Sequence, residues 1–253
     1  MSVSNKDRGV NKKIRNILKE LFKSDSNIYT DIKNGIDKLE ESELVKLIND
    51  IFTNNVVNLS SDKIKKINMS MKNVCPYLRT VNLPNITSIG NYTFNGCTSL
   101  TSIDLPNVTS IGDGAFESCT RLTSIDLPNV TSIGDGAFSY CRNLTSINLP
   151  NVTSIGSNAF YSCDRLTSID LPNVTSIGIA AFQRCSSLTK IIIGTDSDIC
   201  TLKSTNTFDN TPIASGMGYI YVPDDKVDTY KSATNWSTYA SQIKPISELP
   251  SEE

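Results

Sequence analysis

Apolar residues return at fixed offsets every 22 positions through most of the chain. One unit places Leu100, Ile103, Leu105, Val108, Ile111, Ala115, Phe116 and Cys119 inward. The phrase LTSIDLPNVTSIGDGAFESCTR, Leu100 to Arg121, is followed directly by LTSIDLPNVTSIGDGAFSYCRN, Leu122 to Asn143. A period of this length is the signature of a stacked solenoid, because a single unit cannot bury its apolar face alone. Alternation around Ile103 predicts a short strand with Ser102 and Asp104 outward. Pro106 and Asn107 then turn the chain, and Gly112 permits a backbone conformation that a side chain would resist. Ala115 to Cys119 is predicted as a short helical turn.

Different patterns flank the array. In residues 1–57, Ile14, Ile17, Leu18, Leu21 and Phe22 follow helical spacing, as do Ile28, Ile32, Ile36 and Leu39, and Leu44, Leu47, Ile48, Ile51 and Phe52. Each such helix has one narrow apolar stripe, so the segment either caps the first coil or docks on another chain. Repeats are predicted over 58–222. The first is degraded, with Lys72 where later coils place Phe94, Phe116, Phe138, Phe160 and Phe182, as terminal repeats tend to be. After Cys185 the period breaks, but Ile191, Ile193, Phe208, Ile220 and Val222 continue the apolar positions in a lengthened last coil. Residues 223–253 are assigned to a cap and tail.

Composition narrows the function classes. With 253 residues and a net charge of −2, the chain gives no support for nucleic-acid binding. The ends differ in charge: residues 1–25 carry seven Lys/Arg against three Asp/Glu, and residues 191–253 four against nine. The N-terminus does not read as a secretory signal, and no apolar run approaches the roughly 18 residues that would insert in a membrane. Histidine is absent, which excludes Ser-His-Asp and Cys-His chemistry, and no Gly-rich phosphate loop is present. Cys75, Cys97, Cys119, Cys141, Cys163 and Cys185 stand 22 residues apart. Stacked at about 4.8 Å they come within reach of disulfides, yet each has equivalent neighbours on both sides. A ladder of buried thiols is the simpler expectation. No cofactor and no metal site are expected, since a zinc site needs clustered ligands.

The pattern C-x-x-L-x-x-I-x-L-P-x-V-x-x-I-G-x-x-A-F over about 75–193 resembles the BspA-type leucine-rich repeat. The tail from Tyr219, YIYVPDDKVDTYKSATNWSTYASQIKPI, is similar to the closing segment of such repeats in surface and prophage proteins of Gram-positive gut bacteria. The resemblance implies an α+β fold: a right-handed leucine-rich-repeat solenoid with a helical N-terminal segment and a helical C-terminal cap around Val227 to Tyr239. It also implies a non-enzymatic scaffold for adhesion or protein recognition. Without a visible export signal or wall anchor, the expectation is a phage or prophage virion component binding a host-surface glycan or protein, with other virion proteins or a second copy held through residues 1–57. A bacterial cell-surface adhesin and an intracellular interaction or inhibitor protein are the alternatives.

Ligand information should lie where coils differ while exposed. On the expected convex side this selects Tyr92, Arg121, Tyr140, Arg142, Tyr161 and Arg165, residue types common at recognition hot spots. On the strand face Asp104, Asp126, Asn148 and Asp170 form a polar column able to accept sugar hydroxyls or a polar protein surface. Such a flat ladder offers calcium too few directions of approach, and an open ladder has no pocket to support catalysis by a carboxylate pair. Asn-x-Thr recurs at Asn85, Asn107, Asn129, Asn151 and Asn173. One turn motif copied five times accounts for it.

Overall fold

The computed structural model describes residues 78–194 and 198–250, together with the backbone of two earlier strands, β1 Val56–Asn58 and β2 Lys66–Ile67. The helical patterns read between residues 14 and 52, and Cys75, lie outside the described residues.

Each coil contributes two short parallel strands. One face stacks β1, β3 Thr80–Asn82, β5 Ser102–Asp104, β7 Ser124–Asp126, β9 Ser146–Asn148, β11 Ser168–Leu171, β13 Lys190–Ile193, β15 Tyr219–Val222 and β16 Ile243–Pro245. Ladder pairing along this face is interrupted between β5 and β7 and between β9 and β11, where the strands stay in contact. A second face is one seven-stranded parallel sheet of two-residue strands in coil order. It consists of β2, β4 Ser88–Ile89, β6 Ser110–Ile111, β8 Ser132–Ile133, β10 Ser154–Ile155, β12 Ser176–Ile177 and β14 Thr201–Leu202. The period-two prediction holds at each early rung: Ile103 and Ile125 are buried between exposed neighbours.

The third side of the coil differs from expectation. Ala115 to Cys119 forms no helix but a run of turns. Gly114 and Ser118 have positive φ (56° and 60°), which breaks helical continuity. Alternate N–H groups here cross to the following coil, as in Tyr92 N–H to Asp113 O (2.7 Å), Phe94 N–H to Ala115 O (2.7 Å) and Gly96 N–H to Glu117 O (2.8 Å). On the strand sides bonds run both ways, with Thr109 N–H donating to Thr87 O at 2.8 Å and Gly112 N–H to Ile89 O at 2.9 Å in the preceding coil, and Leu83 N–H to Asp104 O at 3.1 Å in the following one. Backbone polarity is thus satisfied between coils on all sides, so no turn needs its own helix.

Inside, identical residues form ladders. Phe94, Phe116, Phe138, Phe160, Phe182 and Phe208 stack with centroids 5.2–5.8 Å apart and ring planes within 12°. Burying each large apolar side chain contributes about 1.5–3 kcal/mol, which only a stacked neighbour makes available. Cys119, Cys141, Cys163 and Cys185 are buried free thiols. They donate to the carbonyls of Phe94, Phe116, Phe138 and Phe160 at 3.0–3.2 Å. Burial raises the Cys119 and Cys163 thiols well above their ordinary range, keeping them protonated as donors. Cys97 departs from the expected thiol ladder, being disulfide-bonded. Interstrand spacing brings register-equivalent cysteines within disulfide reach.

Two further positions are explained by contact between coils. A Cβ on Gly134 or Gly156 would lie 2.6 Å from the backbone of the coil before, so the TSIG glycine is required by close approach. The Asn-x-Thr asparagines Asn107, Asn129, Asn151 and Asn173 donate their amides to the carbonyls of Pro84, Pro106, Pro128 and Pro150 at 2.5–2.7 Å. Thr109, Thr131, Thr153 and Thr175 bond back to the preceding threonine carbonyl at 3.0–3.2 Å.

The C-terminal cap is smaller than the helix expected over Val227 to Tyr239. A 3₁₀ turn Asp224–Lys226 leads into α1 Val227–Ser232, and a second 3₁₀ stretch covers Trp236–Gln242. Asn235, at φ 65°, breaks the helix so that Tyr230, Trp236 and Tyr239 all point into the end of the stack. β16 then adds a rung beyond the expected boundary at 222, pairing in register with β15.

Ser118 shows that the turns carry strain. Its equivalent one coil earlier is Gly96, at φ 72°, and at φ 60° serine carries the cost of a left-handed conformation. Ser118→Gly should therefore raise stability by about 1 kcal/mol in urea denaturation. A decrease would mean that the turn does not hold this conformation in solution.

Candidate binding groove on the turn face

Neighbouring coils present different residues at one left-handed turn position: Tyr92, Gly114, Gly136, Asn158 and Ala180, with φ between 53° and 62°. Where the two glycines fall, the surface sinks into a groove of about 480 Å³. Gly114 and Gly136 form its floor, and Tyr92 and Asn158 stand at its ends. The Tyr92 ring lies over Gly114, in contact with any Cβ that would be placed there. Glu117, Asp135, Ser139, Tyr140, Ser157 and Tyr161 complete the lining.

The walls are held by bonds between coils. Glu117 Oε2 accepts the Asn95 amide at 2.8 Å. Asp135 Oδ1 accepts the Ser157 N–H at 2.7 Å, and Asp113 does the same for the Asp135 N–H at 2.9 Å. Tyr140 and Tyr161 meet edge to face with centroids 5.3 Å apart. Arg142 lies 5.7 Å from the Tyr140 centroid and Arg184 5.6 Å from that of Tyr161, fixing the rings by cation–π attraction. Arg142 also approaches Asp164 at 3.9 Å, an exposed pair of little energetic weight. The result is an open polar depression with aromatic walls.

Of the residues selected on this side, Tyr92, Tyr140 and Tyr161 are brought together in the groove. Arg142 supports it from behind Tyr140. Arg121 and Arg165 are exposed but do not line it. Gly114, Gly136, Ser139 and Asn158 were missed. The signal was present in the aligned coils, where one column changes from tyrosine to glycine and back to a side chain, but a glycine draws no notice as a ligand-binding residue.

The strand-face column is arranged differently. Asp104, Asp126, Asn148 and Asp170 are exposed, with Asn82 paired to Asp104, Asp126 to Asn148 and Asp170 to Ile192 in strand register. Asn148 donates its amide to Asp126 Oδ1 at 2.7 Å. Partial burial raises the Asp170 carboxyl above its usual range, opposed by the Leu171 N–H and the Lys190 charge. Among the described residues no group of three or more carboxylates or thiols is placed to hold a metal. No described helix is long and apolar enough to cross a membrane.

Among solved structures the chain is similar to the T. pallidum leucine rich repeat protein, with 28% identity over 65% of this chain and 83% of that one and a TM-score of 0.50. It is also similar to a leucine rich cell surface protein from Faecalibacterium prausnitzii A2-165, with 33% identity over 53% of this chain and a TM-score of 0.41. That match spans 44% of the F. prausnitzii protein's length. Among curated proteins none matches significantly. The BspA type leucine rich repeat region matches residues 65–189 and 109–217 in six copies, coinciding with the coils whose thiol, phenylalanine and asparagine ladders hold the stack together, and the chain therefore belongs to the BspA-type leucine-rich repeat family.

Proposed function

We propose that this protein is a non-catalytic recognition module that binds a ligand displayed on a cell surface through the groove of Tyr92, Tyr140 and Tyr161. The supporting observation is the coincidence of a 480 Å³ depression with coil-to-coil variation in an otherwise repeated array. Tyr140 and Tyr161 stand outside the core ladders that hold the stack and are not repeated at their positions in the other coils. Family membership and the fold support binding or adhesion as the general activity. In the finer reading, taken from the sequence, the module is carried on a phage or prophage particle and engages a host-surface glycan or protein, with residues 1–57 docking it to other particle proteins. Display on a bacterial envelope uses the same groove from a different support.

The test is capture by intact bacterial envelopes. The Tyr140→Ala/Tyr161→Ala double variant should lose capture by about tenfold or more, since hot-spot aromatics typically carry 2 kcal/mol or more. Asp126→Ala/Asp170→Ala, on the strand face, should retain it. The reverse pattern would assign recognition to the strand face, and unchanged capture in both would remove these two faces as the binding surface. Antibody labelling of purified particles and of whole cells separates the two supports.

A further inference from the structure

Resting on the groove as the recognition site, we infer that its ligand is an uncharged oligosaccharide, a run of neutral pyranose rings lying across successive coils. Three features carry this. The first is charge. Glu117 and Asp135 are the ionisable carboxylates of the lining, and none of the lining residues is Lys or Arg. An anionic ligand such as a phosphate, sulfate or sialic acid would face repulsion in a site without a compensating cation. A cationic ligand meets a different obstacle: Arg142 and Arg184 already stand against Tyr140 and Tyr161, so a second cation on those rings would face two guanidinium groups.

The second feature is donor and acceptor content. Carboxylates accept from hydroxyl groups, Ser139 and Ser157 both donate and accept, and the Asn158 amide does both. Sugar hydroxyls are matched to that set, while the apolar faces of pyranose rings suit tyrosine walls. The third is dimension. The lining comes from four consecutive coils, beginning at Tyr92 and ending at Tyr161. Three interstrand spacings make about 14 Å, a linear site suited to several sugar units rather than one.

The glycine floor supplies a selective test. Gly136 has φ 62°, and a Cβ there would meet only Ser139 Cβ, at 4.0 Å. Asn158 occupies the same position one coil along at φ 54°. Gly136→Asn therefore adds a side chain to the groove in a conformation the fold already accommodates.

The full chain is tested on a printed panel of neutral glucose, galactose and N-acetylhexosamine oligosaccharides, on sialylated and sulfated counterparts, and on a trimethylammonium surface. Envelope capture is repeated after periodate oxidation and after protease treatment. Expected is binding to neutral members alone, weakened about tenfold or more by both Gly136→Asn and Tyr161→Ala, and envelope capture that is lost on periodate treatment and survives protease. Preference for acidic or cationic probes overturns the inference while leaving the groove as the recognition site. So does groove-dependent capture that resists periodate and is lost with protease. Capture indifferent to both groove variants overturns this inference together with the reading on which it rests.

Discussion

Phe138→Ala will lower stability by about 3–5 kcal/mol in urea or thermal denaturation, the range for truncating a buried phenylalanine in a core that relaxes only partly. Phe138 sits mid-stack with no exposure, its ring 5.2 Å from Phe116 and 5.5 Å from Phe160. Truncation removes both stacking contacts, each about 0.5–1.5 kcal/mol beyond area burial. The coils on either side are pinned by Cys141 donating to Phe116 O and Cys163 to Phe138 O, so they cannot close over the void without stretching those bonds. Because each coil touches only its neighbours, the damage is also positional. A weakened central coil uncouples the array, and unfolding should change from one transition to two. A loss below about 1 kcal/mol with a single transition would show that the ladder collapses freely and that the phenylalanines are interchangeable filler.

The second large effect is at the open end. Cys200, just before the edge strand β14, has both of its peptide groups held by the cap: its N–H donates to Tyr230 Oη at 2.8 Å, and its carbonyl accepts from Trp236 Nε1 at 2.7 Å. Asn235 donates its amide to Leu202 O at 2.7 Å, and Tyr239 donates its hydroxyl to Thr205 O. These are groups that another coil would otherwise satisfy. Side chains therefore end the ladder, and the aromatic stack ends with it, Phe208 meeting Tyr239 edge to face at 5.1 Å and Trp236 at 6.2 Å. Burial beneath this cap pushes the Cys200 thiol up to about 12. Trp236→Ala should cost about 3–5 kcal/mol. Trp236→Phe keeps most of the packing and orphans the Cys200 carbonyl, and should cost about 1–3 kcal/mol. Trp236→Ala should also expose an unpaired strand edge and promote concentration-dependent self-association by light scattering. Equal costs for the two variants would place the whole contribution in the indole hydrogen bond, and no self-association would show that the edge is guarded by other means.

Much of this molecule follows from a repeat read against itself. Constancy at Leu100, Ile103, Phe116 and Cys119 and at their equivalents specifies stacking, because a side chain fits an unbroken ladder only if its neighbours match it. The inward set, the strand around Ile103 and its equivalents, the lengthened last coil and the likeness to BspA-type repeats were all legible from the period and alternation, whereas the second strand of each turn, Ser110–Ile111 and its equivalents, was not. Variation across coils likewise singled out Tyr92, Tyr140 and Tyr161, which the structure brings together in one depression.

Tertiary structure decided the rest, for reasons that no single unit contains. The GAF-x-x-C segment reads as a helical turn by local spacing, yet alternate N–H groups find carbonyls in the next coil, and a run of turns bonded between coils replaces the helix. The aspartates at 113 and 135 look like variable surface charge but tie one coil to the backbone of the next. Arg121, Arg142 and Arg165 are alike in sequence, and only three-dimensional stacking sets Arg142 against a groove tyrosine and leaves the other two outside. The groove itself is made by what Gly114 and Gly136 lack. A missing side chain becomes a depression only when larger residues in adjacent coils stand around it, and that juxtaposition exists only once the coils are stacked.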